Sequence, residues 1–204
     1  YAGLMPTTEW KTKKFGASWQ KGETLISGIG QGFVLTTPLQ LAVMTSRIAS
    51  GREVQPYLLE AVISKGEKSF VQRAVAPPIK VEPKVLRLVV KGMNAVTNTT
   101  RGTAYRSRIE EKGFEMAGKT GTSQVKRISK FERETGVKKS KKRPWADRDH
   151  ALFVGFSPAK NPCYAISVVV EHGGSGSKSA APIARDILLK TLRRDPSRHF
   201  NSSA

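Results

Sequence analysis

Three strand-like runs lie close together in the second half of the chain, and they limit the topologies available to it. The runs span about 115–122, 151–156 and 164–171, and each is rich in apolar or small residues. The last two are joined by the turn-rich segment 157–162, which is typical of a hairpin. Consecutive strands with short links pair antiparallel. We therefore predict an α/β chain of the α+β type, in which helices pack on an antiparallel sheet, and not a doubly wound parallel sheet.

Capping signals and apolar spacing predict three helices. The first, over 38–50, follows a Thr-Thr-Pro sequence in which threonine can cap and proline suits the first turn; apolar on most sides, it should be well buried. The second spans about 83–97, and a closing helix spans 178–194. Residues 1–35 are expected to be irregular and 173–177 to be flexible. The inward face of the closing helix is expected to carry Ile183, Ile187, Leu188 and Leu192.

The chain is strongly basic, with 35 Lys and Arg against 16 Asp and Glu, and a net charge of +19. Charge of this size indicates anionic partners and leaves a basic nucleic-acid-binding module as the alternative function. The segment 124–149 carries ten basic and four acidic residues, and so contributes +6. No zinc-finger spacing or RNA-recognition aromatic motif accompanies it, so we interpret this segment as a solvated basic loop.

Several classes of protein and site are excluded or made improbable by composition. The single cysteine, Cys163, excludes an internal disulfide and a cysteine-based zinc cluster, and we expect no metal and no cofactor. No apolar run approaches the ~18–20 residues of a membrane helix. Because the chain does not begin with Met, we expect it to be part of a longer protein.

The sequence Lys119-Thr120-Gly121-Thr122 ends the first strand-like run and is the short motif to which a mechanism attaches. Lys-Thr-Gly stands beside Ser-x-x-Lys and Ser-Asp-Asn in the motif set of β-lactamases and penicillin-binding proteins. The hydroxyls of Thr120 and Thr122 can hydrogen-bond a substrate carboxylate, for which Lys119 supplies positive charge. Gly121 lets substrate approach the backbone, and the Thr122 N–H can help to form an oxyanion hole. We predict that these four residues bind substrate, with Lys119 and Thr122 in catalytic roles.

Further motifs in a fixed order make the chain resemble a known family over nearly its whole length. These motifs are Gly3-Leu4-Met5-Pro6-Thr7 with Glu9-Trp10-Lys11, Gly28-Ile29-Gly30-Gln31-Gly32 with Thr36-Thr37-Pro38-Leu39-Gln40, Arg101-Gly102-Thr103-Ala104, Ala117-Gly118-Lys119-Thr120-Gly121-Thr122-Ser123-Gln124, Asp149-His150-Ala151-Leu152-Phe153-Val154-Gly155-Phe156 and Glu171-His172-Gly173-Gly174. With them the chain resembles the C-terminal part of the transpeptidase domain of class B penicillin-binding proteins, most closely the penicillin-binding protein 2 type used in cell elongation.

The resemblance implies a penicillin-binding, β-lactamase-like fold and D,D-transpeptidation. In this chemistry a serine attacks a peptidoglycan stem peptide that ends in D-Ala-D-Ala, and the acyl group passes to an amine on a neighbouring stem; β-lactam antibiotics acylate the same serine. The implied partners are these stem peptides, β-lactams, and membrane proteins of the elongation complex, including a glycan polymerase. The implied location is the periplasmic face of the bacterial inner membrane, with the anchor upstream of this chain.

The family's nucleophile motif is not convincingly present. Ser-x-x-Lys begins at Ser18, Ser123, Ser157 and Ser175, but none of these serines is expected at the start of a long apolar helix. We interpret all four as accidental, and Ser-x-Asn is absent from the sequence. We therefore expect the nucleophile to lie outside this chain, and the isolated chain to form no acyl-enzyme. An exposed sheet edge would also favour association of two copies of the chain.

Overall fold

The computed structural model of the protein describes residues 2–126, 130–136 and 143–195. The chain divides into two compact units, with the division between Leu41 and Ala42, inside a helix. Across the described residues, no helix combines the length and the apolar character needed to cross a membrane.

The first unit contains two short helices, so the expectation of irregular structure over 1–35 is wrong. Helix α1 spans Thr8–Phe15 and α2 spans Lys21–Gly28. The Thr7 side chain accepts the Trp10 N–H at the start of α1, and Gly16, with φ of 64°, ends that helix. Such caps satisfy backbone groups that a helix of eight residues would otherwise leave unpaired.

A partly buried ion pair joins the two helices of this unit. The Lys11 ammonium lies 2.6 Å from Glu23 Oε2 and also donates to the Ser18 carbonyl, at 2.8 Å. Glu23 in turn accepts the Gln20 N–H at 2.7 Å, which is one half of a capping box at the start of α2. Burial of the lysine is tolerated because its charge is paired and hydrogen-bonded.

The remaining elements follow in the order helix, hairpin, helix, strand, helix, two strands and helix. They are α3 (Pro38–Ser50), β1 (Ala61–Ser64), β2 (Glu67–Phe70), α4 (Pro83–Asn98), β3 (Ala117–Ser123), α5 (Lys130–Thr135), β4 (His150–Ser157), β5 (Tyr164–Val170) and α6 (Ala181–Arg194). The bounds predicted from the sequence for α3 and α4 are confirmed. A π-helical turn over Gly176–Ala180 precedes α6.

The larger sheet has the order β3-β4-β5 and is antiparallel throughout, which confirms the predicted fold class. β1 and β2 form a separate antiparallel hairpin. The register places Lys119 opposite Val154 and Thr122 opposite Ala151. Helices pack on both faces of the sheet, as alternation of side chains along β4 requires. Phe153 belongs to a core cluster with residues of α6, and Phe156 to a cluster with Met93 of α4.

Three expectations about burial and order need correction. Thr45 is the only buried residue of α3, and Leu39 is 62% exposed, so this helix is not well buried. On α6, Ile183 and Ile187 are exposed, and the buried face is Ala181, Ala184, Leu188 and Leu192. Ile183 and Ile187 each come one position before a buried residue, and one position along an α-helix turns a side chain by about 100° away from the buried face. The segment 173–177 is not a free link, because the N–H groups of Gly173 and Gly174 donate to the carbonyls of Val170 and Asp149, and its last two residues belong to the π-helical turn.

Candidate active site

The Lys-Thr-Gly motif lies on β3, at an edge of the three-stranded sheet formed by the described residues. Side chains alternate along a strand, so Lys119 and Gly121 face one side of the sheet and Thr120 and Thr122 the other. Burial decreases along the strand, from buried Ala117 to exposed Thr122. The motif therefore occupies the accessible part of a strand whose beginning is fixed in the core.

A second threonine stands beside the motif. Thr103, in the loop that follows α4, places its Oγ1 3.1 Å from the Oγ1 of Thr120, within hydrogen-bond distance. A Cβ on the preceding residue, Gly102, would overlap the carbonyl oxygens of Val96 and Ala95, so glycine is what allows this loop to fold against the end of α4. The sequence alone assigned no role to Thr103, because no local pattern signals its contact with Thr120, which is 17 positions away.

Two glycines allow close packing around the motif. A Cβ on Gly118 would overlap the Phe153 ring and the Val154 carbonyl of β4. A Cβ on Gly176 would overlap the Leu152 carbonyl, and would lie 2.5 Å from the Gly121 oxygen and 3.0 Å from the Gly121 nitrogen. The turn before α6 therefore packs directly on the backbone of the motif, at a contact that the sequence did not predict.

Hydrogen bonds fix that turn to the start of β4. The His172 N–H donates to Nδ1 of His150 at 2.9 Å, and the two imidazole rings lie 4.7 Å apart. His172 Nδ1 lies 2.9 Å from the Arg148 carbonyl, and the Gly174 N–H donates to the Asp149 carbonyl at 2.8 Å. Because Arg148 offers only a carbonyl there, His172 carries its proton on Nδ1.

The basic segment 124–149 is only partly described, since 127–129 and 137–142 fall outside the described residues. Its described part includes α5 and two ion pairs, Lys126 with Asp147 at 3.7 Å and Arg143 with Asp149 at 3.4 Å. The side chains of the second pair are largely buried, and Trp145 packs on His172 with ring centroids 4.2 Å apart. Near β4 the segment is therefore anchored and is not simply a solvated loop.

The motif presents groups suited to binding an anion. The Lys119 ammonium donates to the Thr120 carbonyl at 2.6 Å and is exposed. It therefore supplies an accessible positive charge at the edge of the sheet, and the hydroxyls of Thr120 and Thr122, on the other side of the strand, can donate hydrogen bonds to a carboxylate. No cluster of three or more His, Cys, Asp or Glu residues suited to a metal ion occurs within residues 2–126, 130–136 and 143–195.

One of the four Ser-x-x-Lys matches lies immediately before a helical segment, although not before a long apolar helix. Ser175 precedes the π-helical turn that continues into α6. Its Oγ lies 3.1 Å from the Ser177 Oγ, and no hydrogen bond joins it to the exposed ammonium of Lys178, although both residues are described. The arrangement therefore lacks the contact between nucleophile and base that activates a serine. Ser157 is buried, and its hydroxyl donates to the Phe114 carbonyl at 2.8 Å.

Comparison with known proteins decides the family. A model of the penicillin-binding protein transpeptidase domain matches residues 2–189. The chain belongs to this family. The chain is 37% identical to the peptidoglycan D,D-transpeptidase MrdA of Acinetobacter baumannii, over 98% of the chain and 29% of that protein. It is 34% identical to MrdA of Haemophilus influenzae, over 92% of the chain and 28% of that protein.

Solved structures of penicillin-binding proteins share the fold. PBP2 of Helicobacter pylori, solved in complex with MreC, superposes with a TM-score of 0.75 and 31% identity, over 95% of the chain and 31% of that protein. PBP2 of Pseudomonas aeruginosa, in complex with WCK 5153, superposes with a TM-score of 0.70 and 38% identity, over 93% of the chain and 38% of that protein. The chain thus spans about 30% of the length of the curated relatives it matches.

Proposed function

We propose that the chain is part of a serine D,D-transpeptidase that cross-links peptidoglycan stem peptides and is acylated by penicillin. The observation that carries the proposal is the exposed Lys119-Thr120-Gly121-Thr122 strand, with the Thr103 hydroxyl beside it, in a chain of the transpeptidase family. Edge strands offer backbone groups to an extended peptide, which suits a substrate that is itself a peptide.

In this proposal each residue of the motif has a separate role. Lys119 and the hydroxyl of Thr120 bind the terminal carboxylate of the stem peptide, and Gly121 lets the peptide backbone approach the strand. The Thr122 hydroxyl also contacts the carboxylate, and its N–H stabilises the oxyanion. The serine oxygen bonds to the carbonyl carbon of the penultimate D-Ala, the terminal D-Ala leaves with a proton, and an acceptor amine then displaces the serine.

The partners and the location belong to the same proposal. Stem peptides ending in D-Ala-D-Ala and β-lactams both carry the carboxylate that the motif suits. The complex of Helicobacter pylori PBP2 with MreC supports membrane proteins of an elongation complex as partners of the whole protein, and we extend this to a glycan polymerase. We propose the periplasmic face of the bacterial inner membrane as its location.

The nucleic-acid-binding alternative receives no support. The family match covers nearly the whole chain, and basic residues of the segment 124–149 form ion pairs with Asp147 and Asp149 of the same segment. These pairs reduce the charge available to phosphates.

Labelling with a fluorescent penicillin tests the proposal. We expect the whole gene product that contains this chain to form a covalent adduct, and the isolated 204-residue chain to form none, because in this proposal the nucleophile lies outside it. A Ser175→Ala variant of the whole gene product should label as the wild type does. An adduct on the isolated chain, or no adduct on the whole gene product, would contradict the proposal.

A further inference from the structure

A groove outside the candidate active site lies between α3, α4 and the turn after β4. Its volume is about 740 Å³, within the range of about 300–1,000 Å³ typical of small-molecule sites. Its apolar floor consists of Ile48, Ala49, Leu86, Val90 and Ala159.

Three positively charged side chains line the groove together with this apolar floor. Arg87 and Lys91 are one turn apart on α4, so both side chains project from the same face of the helix. Lys160 contributes a third positive charge from the turn after β4. Within the described part of the chain, none of the three forms an ion pair. This differs from a typical protein surface, where positive and negative side chains are interspersed.

One carboxylate, Glu115, also lies in the lining, and it offsets only one of the three positive charges. Hydrogen bonds from the N–H groups of Gly113 and of Glu115 itself, with the charges of Lys160 and Lys112, hold the pKa of that carboxyl below its ordinary value. Glu115 is therefore ionised at neutral pH, and the lining keeps a net positive charge.

The walls of the groove are fixed by hydrogen bonds that do not depend on a ligand. The hydroxyl of Thr97 and the amide of Asn98 both donate to the Met116 carbonyl, at 2.6 and 2.8 Å, and so hold α4 against the segment before β3. The Ala159 N–H donates to the Glu115 carbonyl at 2.7 Å and holds the opposite wall. A site of this kind loses little conformational entropy when it binds.

We propose that this groove binds an amphipathic anion, with the apolar part on the floor and the anionic head at Arg87, Lys91 and Lys160. The head is expected on the α4 side, because the C-terminal end of α3 at Ser50 carries the negative end of a helix dipole. The inference does not depend on the transpeptidase proposal, since no residue of the Lys-Thr-Gly motif lines the groove.

Titration of the whole gene product that contains this chain with decyl phosphate, kept below its micelle concentration, tests this inference. Methyl resonances of Ile48, Leu86 and Val90 should shift, and those of the exposed Ile183 on α6 should not. Decyltrimethylammonium, which has the same tail and the opposite charge, and inorganic phosphate, which has no tail, should each bind about tenfold more weakly or worse.

Matched variants on α4 complete the experiment. Arg87→Gln combined with Lys91→Gln should weaken decyl phosphate binding about tenfold, since each loses a charge-assisted hydrogen bond. Lys84→Gln, on the same helix but outside the lining, should bind as the wild type does. Equal binding of the cationic and anionic probes, equal losses in both variants, shifts only at Ile183, or no binding would each overturn the inference.

Discussion

The hydroxyl oxygens of Thr103 and Thr120 lie 3.1 Å apart, although the residues are 17 positions apart in the chain. The contact links the loop after α4 to the centre of the Lys-Thr-Gly motif. It orients the Thr120 hydroxyl, which can rotate freely about its C–O bond in the absence of a partner. In the proposed function, Thr103 is therefore a positioning residue for carboxylate binding by Thr120.

Removal of the Thr103 hydroxyl should weaken acylation without changing the fold. For Thr103→Val in the whole gene product, we expect the second-order rate constant of penicillin acylation to fall about two- to tenfold, the value of one hydrogen bond. Thr103→Ser keeps the hydroxyl and should restore the rate. A stopped-flow measurement with a chromogenic β-lactam tests this, and equal rates in wild type and both variants would refute the role.

A methyl group at position 176 should displace the backbone of the Lys-Thr-Gly motif, on which the turn before α6 packs. Gly176→Ala would place its Cβ 2.5 Å from the Gly121 oxygen, so β3 or the turn must move. We expect a loss of about 1–3 kcal/mol in the free energy of unfolding and a slower acylation. Gly92→Ala on α4, where an added Cβ meets nothing within 4 Å, is the matched control and should stabilise by about 0.5–1 kcal/mol. Unchanged stability and acylation in Gly176→Ala would show that the contact is unimportant.

The hydrogen bond from Thr97 to the Met116 carbonyl, which holds α4 against the segment before β3, should contribute more to the free energy of unfolding than an exposed hydrogen bond of the same type. Thr97 is fully buried and its hydroxyl donates to the Met116 carbonyl at 2.6 Å. Thr97→Val should lower the free energy of unfolding by about 1–2 kcal/mol in urea denaturation of the 204-residue chain. Thr99→Val, which removes an exposed hydroxyl bonded to the Ala95 carbonyl, should change it by less than about 0.5 kcal/mol. A larger loss for Thr99→Val would contradict this ranking.

The first unit should lose stability in acid through Glu23. The hydrogen bond from Lys11, followed by that from the Gln20 N–H, holds the pKa of Glu23 below its ordinary value of 4.5. Because the folded state favours the ionised carboxylate, this stabilisation is complete above the unfolded pKa and is lost as the pH falls through the folded pKa.

Thermal unfolding at about pH 7 and about pH 3 measures this dependence on pH. Glu23→Gln should lower the unfolding temperature at the higher pH and should show a smaller drop on acidification than the wild type. Glu60→Gln, whose carboxylate lies 4.0 Å from Lys68 on an exposed hairpin, serves as control and should keep the wild-type drop. A full drop in Glu23→Gln would exclude Glu23 as its source.

Local patterns in the sequence were sufficient for the sheet and for α3 and α4. Apolar runs and a hairpin connection predict β4 and β5, because strand pairing between neighbours depends on short-range geometry. The short helices α1 and α2 were missed because their stability comes from capping and from the ion pair of Lys11 with Glu23, and not from apolar periodicity.

Only the motif residues of the candidate site could be predicted from the sequence. The motif residues are adjacent in sequence and share one strand. Thr103 and Gly176 reach it from distant loops, and their contacts depend on how α4 and α6 pack on the sheet. Spacing in the sequence does not show which distant loops will contact a strand. The close contact between Gly176 and Gly121 also leaves no apolar pattern in the sequence.

Acylation by a penicillin and by its carboxylate ester tests the central claim, that the Lys-Thr-Gly strand binds the substrate carboxylate. In the whole gene product, the free acid should acylate at least about tenfold faster than the ester. Thr120→Val combined with Thr122→Val should slow the acid by about tenfold and leave the ester within about twofold, so that the preference disappears. An unchanged ratio of the two rates in this variant would contradict the claim.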